Sequence, residues 1–226
     1  MSEILSVMVG TAGHVDHGKT SLVRQLTGFD TDSTEEERRR GMSIDLAVAP
    51  CDVGDGAIVG IVDVPGHEDF IRNMVAGASS IDVLMLVVAA DDGIMPQTIE
   101  HMRIVSVLGM SRLLIVISKI DLVDRSLLEI LREELRGFAT SAGFASAPII
   151  EVSNVQGEGI EAVRSALREF AVELVRAPDR RAFRMDVRKA FSAKGHGTVV
   201  TGIPCSGEAA VGDELELLPE GQLTGI

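Results

Sequence analysis

Residues 13 to 20 read Gly13-His14-Val15-Asp16-His17-Gly18-Lys19-Thr20, the spacing G-x-x-x-x-G-K-[ST]. An apolar, β-branched run, Ile4–Val9, precedes it through Gly10-Thr11-Ala12, and helical spacing continues over Lys19–Leu26. Strand, glycine-rich loop and helix in this order form a phosphate cradle. The glycines let backbone N–H groups turn toward α- and β-phosphates, and the helix adds the positive end of its dipole. Lys19 is placed to reach β- and γ-oxygens. Thr20 can give its hydroxyl to Mg²⁺, and Ser21 continues the phosphate-contacting run.

Working outward, short apolar runs recur at Ile44–Ala49, Ala57–Val62, Val83–Ala89, Leu113–Ile117 and Ile149–Val152. Between most of them lie segments of helical spacing: Glu68–Ala76, Thr98–Leu108, Ser126–Ala139 and Glu161–Val175. Alternating strands and helices predict an α/β fold, a mostly parallel sheet with helices on both faces joined by right-handed crossovers. The turn-rich Asp52-Val53-Gly54-Asp55-Gly56 permits one antiparallel hairpin at the sheet edge. The pattern changes at Ala177-Pro178-Asp179-Arg180-Arg181, read as a linker over 177–182 that closes a domain of residues 1–176. Beyond it, Phe183–Phe191, Thr198–Ile203 and Glu214–Leu218 are strand-like and separated by glycine-rich turns. They predict that residues 183–226 begin a β-barrel, which so few strands cannot close. A fragment of a longer protein is therefore expected.

A phosphate loop alone leaves kinases, ATPases and GTPases open, and four further segments at strand ends choose between them. Asp63-Val64-Pro65-Gly66-His67 ends one strand; Asp63 can hold Mg²⁺ through water and the Gly66 N–H can meet a γ-phosphate. Ser118-Lys119-Ile120-Asp121-Leu122 ends another. A carboxylate at Asp121 accepts from guanine N1–H and the N2 amino group, a donor pair that adenine does not offer. The Lys119 stem covers the base. Ser153-Asn154-Val155 comes after Ile149–Val152, and its backbone N–H groups can donate to guanine O6. Ser43, in Arg40-Gly41-Met42-Ser43, supplies a hydroxyl able to close over Mg²⁺ and the γ-phosphate. Together these elements point to GTP and GDP with Mg²⁺.

Composition bounds the rest. Hydrophobic residues make up 46% of 226, with no Trp or Tyr and 7 Phe, so the core must be aliphatic, as suits a sheet buried on both faces. The net charge of −13 repels bulk nucleic acid, so any RNA contact must come from local basic patches or from chain outside this sequence. Cys51 and Cys205 read as buried free thiols in a reducing cytoplasm, and no stretch approaches the length of a membrane span. Glu35–Arg40 reads as a solvated segment, and His14 and His17 as loop residues rather than zinc ligands.

Gly13–Thr20 together with Asp63-Val64-Pro65-Gly66-His67 resembles the translational GTPases related to elongation factor Tu. Among them it is most similar to the selenocysteine-specific elongation factors, the SelB family. The resemblance runs from Val7 to about Leu218. It is carried by Leu26–Asp32, Arg40–Leu46, Gly66–Met74, Val87–Thr98 and Lys194–Gly202. The short span from Thr20 to Ser43 separates the chain from elongation factor Tu itself. Its single cysteine in the region of the second and third strands separates it from the zinc-bearing gamma subunit of initiation factor 2. Three positions depart from the usual pattern: Ser43 for Thr, Ser118 for Asn and Asn154 for Ala.

The resemblance implies a ribosome-activated GTPase that delivers selenocysteinyl-tRNA in the cytoplasm as a monomer. His67 would orient the attacking water behind an apolar gate of Val15 and Met42. Lys19 and Asp16 would stabilise phosphate-side charge, and Lys194 and His196 would stand near aminoacyl-tRNA. An mRNA hairpin would be read only by a C-terminal region absent from this sequence. A related factor for initiator tRNA or sulfate activation, and a GTP-binding module of weak hydrolysis, remain alternatives.

Overall fold

The computed structural model describes residues 7–29, 47–63, 81–174, 181–193, 195 and 197–225. The chain divides into two compact units, Met1–Val175 and Arg176–Ile226.

In the first unit the strands are β1 (Val7–Ala12), β2 (Ala47–Gly54), β3 (Ala57–Asp63), β4 (Val83–Ala89), β5 (Leu113–Ser118) and β6 (Ile149–Glu151). They form one sheet in the order β2-β3-β1-β4-β5-β6. The pairs β1–β3, β1–β4, β4–β5 and β5–β6 are parallel, and β2–β3 is the antiparallel hairpin at the edge. The described helices are α1 (Lys19–Thr27), α2 (Pro96–Val107), α3 (Arg125–Ser141) and α4 (Ile160–Glu173). A single tight helical turn, Ile120–Leu122, comes after β5. The mostly parallel α/β sheet expected from the alternation is what forms.

In this sheet two strand ends run three residues or more past the periodicity, each for a packing reason. Strand β1 continues through Gly10 to Ala12, because Thr11 and Ala12 pair with Met85 and Leu86 of β4. Gly10 is a place of close approach and not a break: a Cβ there would lie 2.8 Å from the Ile81 side chain. Strand β2 runs through Pro50, which pairs with Gly60, and an edge strand tolerates the missing N–H.

Aliphatic burial builds the core. Val83, Met85 and Val87 of β4 and Leu114 and Val116 of β5 pack in one cluster with Leu22, Val23 and Leu26 of α1 and Val163 and Leu167 of α4. The alternate residues Leu84, Leu86, Val88, Ile115 and Ile117 are equally buried, as period-2 alternation in a sheet covered on both faces requires. The buried stripes of α2 (Met102, Val105) and α3 (Leu131, Leu135, Ala139) stand outside that first cluster. Arg164 of α4 donates to the carbonyls of Asp52 at 2.8 Å and Gln25 at 3.2 Å, which ties the edge strand to α1. Cys51 is buried as a free thiol, and burial pushes its pKa up.

Among its described residues the second unit contains two antiparallel pairs. β7 (Arg184–Ala193) pairs with β8 (Gly197–Ser206), and β9 (Glu214–Leu217) with β10 (Gln222–Gly225). Strand β10 escapes the periodicity because only Thr224 of its four residues favours a strand. The Cys205 side chain lies outside what is described. Among the described residues, no helix is long and apolar enough to cross a membrane.

Leu86 is fully buried at the sheet centre, whereas Val107 is 86% exposed. Leu86→Ala should therefore cost about 2–5 kcal/mol of unfolding free energy, and Val107→Ala less than about 0.5 kcal/mol. Urea unfolding midpoints of the two variants provide the check.

Candidate functional site

Strand β1 delivers the loop Gly13–Thr20 to the carboxyl edge of the sheet, between β3 and β4, where the strand order reverses direction. The loop lies hard against β4: at φ 133° a Cβ on Gly13 would stand 2.1 Å from the Val87 carbonyl oxygen. Gly18, in the left-handed region at φ 81°, caps α1 without a side chain. Asp16 at φ 62° is exposed on the outer curve. Two side chains of α2 grip the loop from outside. His101 Nδ1 accepts from the Gly13 N–H at 3.2 Å, and Gln97 Oε1 lies 2.5 Å from His14 Nδ1 and 3.4 Å from the Val15 N–H.

Inside the cradle, Lys19 is 8% exposed, and its ammonium donates to the carbonyls of Gly13 at 3.1 Å and His14 at 2.7 Å. Asp63 at the tip of β3 is also buried and accepts from Thr11 Oγ1 at 2.9 Å. Thr20 is half-buried behind the loop and Ser21 is exposed. A buried ammonium held by neutral backbone carbonyls fits an anionic group, so the GTP-binding reading passes a test of charge.

The residues expected to meet the base lie beyond β5. Ser118 is fully buried and donates to the His17 carbonyl at 2.6 Å. Lys119 takes φ 56°, and its ammonium stands 3.4 Å from Asp91. Asp121 is exposed, and its Oδ1 receives the buried Ser153 hydroxyl at 2.5 Å. The Ser153 Oγ in turn accepts from the Gln156 N–H at 3.1 Å, which fixes the hydroxyl proton on the carboxylate. Leu122 is 61% and Val155 88% exposed. Asn154 sends its amide to the Gly18 carbonyl at 3.2 Å. The segments at 118–122 and 153–155 are therefore joined to each other and to the phosphate loop.

Burial sets the protonation states. It pulls Lys19 down to about 8 against the raising pull of Asp63 and Asp16. It pulls His17 down to about 4, although the Val87 carbonyl, 3.3 Å from Nδ1, and Asp92, 3.6 Å from Nε2, act the other way. His101 falls to about 4 through burial, with Lys19 and His14 adding to the shift. Both imidazoles are neutral at neutral pH. His17 donates from Nδ1 to Val87, and His101 accepts at Nδ1.

The sequence profile of the elongation factor Tu GTP-binding domain matches residues 5–175. The chain belongs to that family. It is 46% identical over 224 residues to the selenocysteine-specific elongation factor of Desulfomicrobium baculatum, covering 98% of this chain and 35% of the relative. The chain thus spans about a third of that relative's length. Among solved structures, a bacterial selenocysteine-specific elongation factor superposes with TM-score 0.91 at 41% identity over 97% of this chain and 38% of its own. The elongation factor SelB of Methanococcus maripaludis, in complex with the GTP analogue GppNHp, gives TM-score 0.82 at 29% identity over 100% of this chain and 47% of its own.

Ser43, Gly66, His67, Met42, Lys194 and His196 lie outside the described residues, as do Glu35–Arg40. Among the described residues, no group of three His, Cys, Asp or Glu could hold a metal ion. His101 was not anticipated from the sequence. Its signal was available: it stands four residues after Gln97 on the helix that succeeds β4, so the two share a face.

The two buried histidines of the GTP-binding domain predict an acid-side loss of stability. Their folded pKa values lie below the ordinary 6.5, so stability is fully present above pH 6.5. It is lost as pH falls toward 4, where the unfolded chain binds protons that the fold refuses. A shift of this size is worth ~3 kcal/mol per histidine. His101→Gln keeps an acceptor for Gly13 and should remove its share of the slope in unfolding free energy between pH 6.5 and 4.5.

Proposed function

We propose that this chain is the guanine-nucleotide switch of a translation elongation factor that delivers selenocysteinyl-tRNA to the ribosome in the cytoplasm. The observation that carries the nucleotide reading is the junction of two loops. The buried Lys19 cradle, after β1, and the Asp121–Ser153 pair, after β5 and β6, lie at the same carboxyl edge of the sheet and are bonded through Ser118 and Asn154. The selenocysteine assignment rests on the similarity to proteins of that name.

In this reading Gly13–Ser21 wraps the phosphates, with the loop's N–H groups and the Lys19 ammonium replacing the water shell of the β- and γ-oxygens. Lys19 exchanges two carbonyl partners for phosphate oxygens without leaving its pocket. Mg²⁺, when bound, neutralises charge developing between β- and γ-phosphates; Thr20 and Ser43 would hold it directly and Asp63 through water. Asp121 accepts from guanine N1–H and the N2 amino group. Lys119 and Leu122 flank the ring, and the N–H groups of Asn154 and Val155 face O6. His67 orients the attacking water, and Asp16 sits at the outer curve as a second electrostatic aid. The Gly66 N–H senses the γ-phosphate, so hydrolysis releases the segments around residues 28–45 and 64–80. Residues 183–226 open the second domain of the same factor, which carries the aminoacyl-tRNA contacts.

Replacing Asp121 by Asn exchanges an acceptor for a donor and should turn preference from guanine to xanthine, whose C2 carbonyl accepts. The parent should bind fluorescent GDP and release it to GDP but not to ADP, and Asp121→Asn should release it preferentially to xanthosine diphosphate. Loss of binding without that reversal would count against the role of Asp121. For the switch itself, single-turnover GTP hydrolysis should be slow alone and accelerate with ribosomes. His67→Ala should lose at least about a hundredfold of the accelerated rate. Equal ribosome-stimulated rates in both proteins would remove His67 from the mechanism. Protection of the selenocysteinyl ester, but not the seryl ester, of the same tRNA from hydrolysis tests the cargo.

A further inference from the structure

Two consecutive carbonyls of the phosphate loop are held by side chains that come from the base side of the site. His17 O receives the Ser118 hydroxyl at 2.6 Å, and Gly18 O receives the Asn154 amide at 3.2 Å. Gly18 O also accepts the first helical bond from the Leu22 N–H at 2.9 Å, so both of its lone pairs are engaged. Asn154 is tied a second time: its own carbonyl accepts from Gln25 Nε2 of α1 at 2.9 Å. Donation to Gly18 O fixes the amide orientation, since the flipped side chain would set oxygen against oxygen. That orientation leaves Asn154 Oδ1 buried without a partner, a cost the site accepts to keep the bond to Gly18.

Peptide planarity carries this hold to the neighbouring donors. In a trans peptide the C=O of one residue and the N–H of the next point in opposite directions and turn together. A hand on Gly18 O therefore aims the Lys19 N–H, and a hand on His17 O aims the Gly18 N–H. These are among the N–H groups at the start of α1 that a phosphate would take. An alanine at position 154 would have no donor for this task, and Ser118 has a single hydroxyl hydrogen, which it spends on His17.

We propose that Asn154 is a positioning residue for phosphate binding. Its side-chain amide holds the Gly18 carbonyl and so aims the Lys19 N–H, which makes β-phosphate affinity depend on the turn that reads the base. The proposal rests on the guanine-nucleotide reading and adds to it a role for a side chain where that reading uses only backbone.

The test compares GDP, which has a β-phosphate, with GMP, which lacks one, by displacement of fluorescent GDP from the whole chain. Asn154→Ala should weaken GDP about fivefold, the worth of one neutral hydrogen bond, and leave GMP within twofold, so that the GDP-to-GMP affinity ratio falls about fivefold. Asn154→Leu, which keeps the volume without the donor, should lower the ratio equally; circular dichroism melts identify any variant that does not fold. An unchanged ratio in the folded variants overturns the proposal, whether both affinities fall together or neither does. A parent chain that binds GDP no better than ADP refutes the guanine reading itself, and the positioning role with it.

Discussion

The Lys19 ammonium is a positive charge taken out of water and held by the carbonyls of Gly13 and His14. Neutral carbonyls stabilise such a charge less well than an anion does, which is why burial drags its pKa to about 8. The rest of the site can be understood as what keeps this group buried and poised. Gly13 must approach β4 so closely that only glycine fits. Asp63 must lend negative potential from the tip of β3. Gln97 and His101 of α2 hold the outer edge of the loop through the Gly13 and Val15 N–H groups.

That demand explains why the fold is built around β1. Flanked by β3 and β4, β1 can place its terminal loop within reach of residues from the ends of four other strands, β3, β4, β5 and β6. The antiparallel edge pair and the Arg164 tie keep β2 and α1 in register with it. The residues proposed to read the base come from the ends of β5 and β6, far along the chain yet adjacent in space. The hydroxyl of Ser153 fixes the Asp121 carboxylate, while Ser118 and Asn154 bind that region back to the loop.

Much of this was legible because periodicity and glycine spacing report local geometry. Strand β4 coincides with its apolar run, Val83–Ala89, and the hairpin was foreseen from Asp52–Gly56. What escaped was set by tertiary contact. The pairing of Thr11 and Ala12 with β4 lengthened β1 past a glycine that looked like a boundary, and β10 had little propensity to announce it. His101, Gln97 and Arg164 act through distances that no spacing rule expresses, although the shared helix face of the first two was there to be seen. Asn154 was read as a backbone donor, and its side chain proved to hold the phosphate loop. Sequence likewise cannot say that His17 and His101 are neutral, since only burial decides it.

If the buried ammonium awaits a phosphate, nucleotide binding must restore its proton affinity. The direct measurement is calorimetric titration of the chain with GDP at pH 8 in two buffers of different ionisation enthalpy. With the free group near half-protonated, the account predicts uptake of about half a proton per GDP bound, abolished by Lys19→Gln. Binding of GDP with no proton uptake, or uptake that survives that substitution, would contradict it.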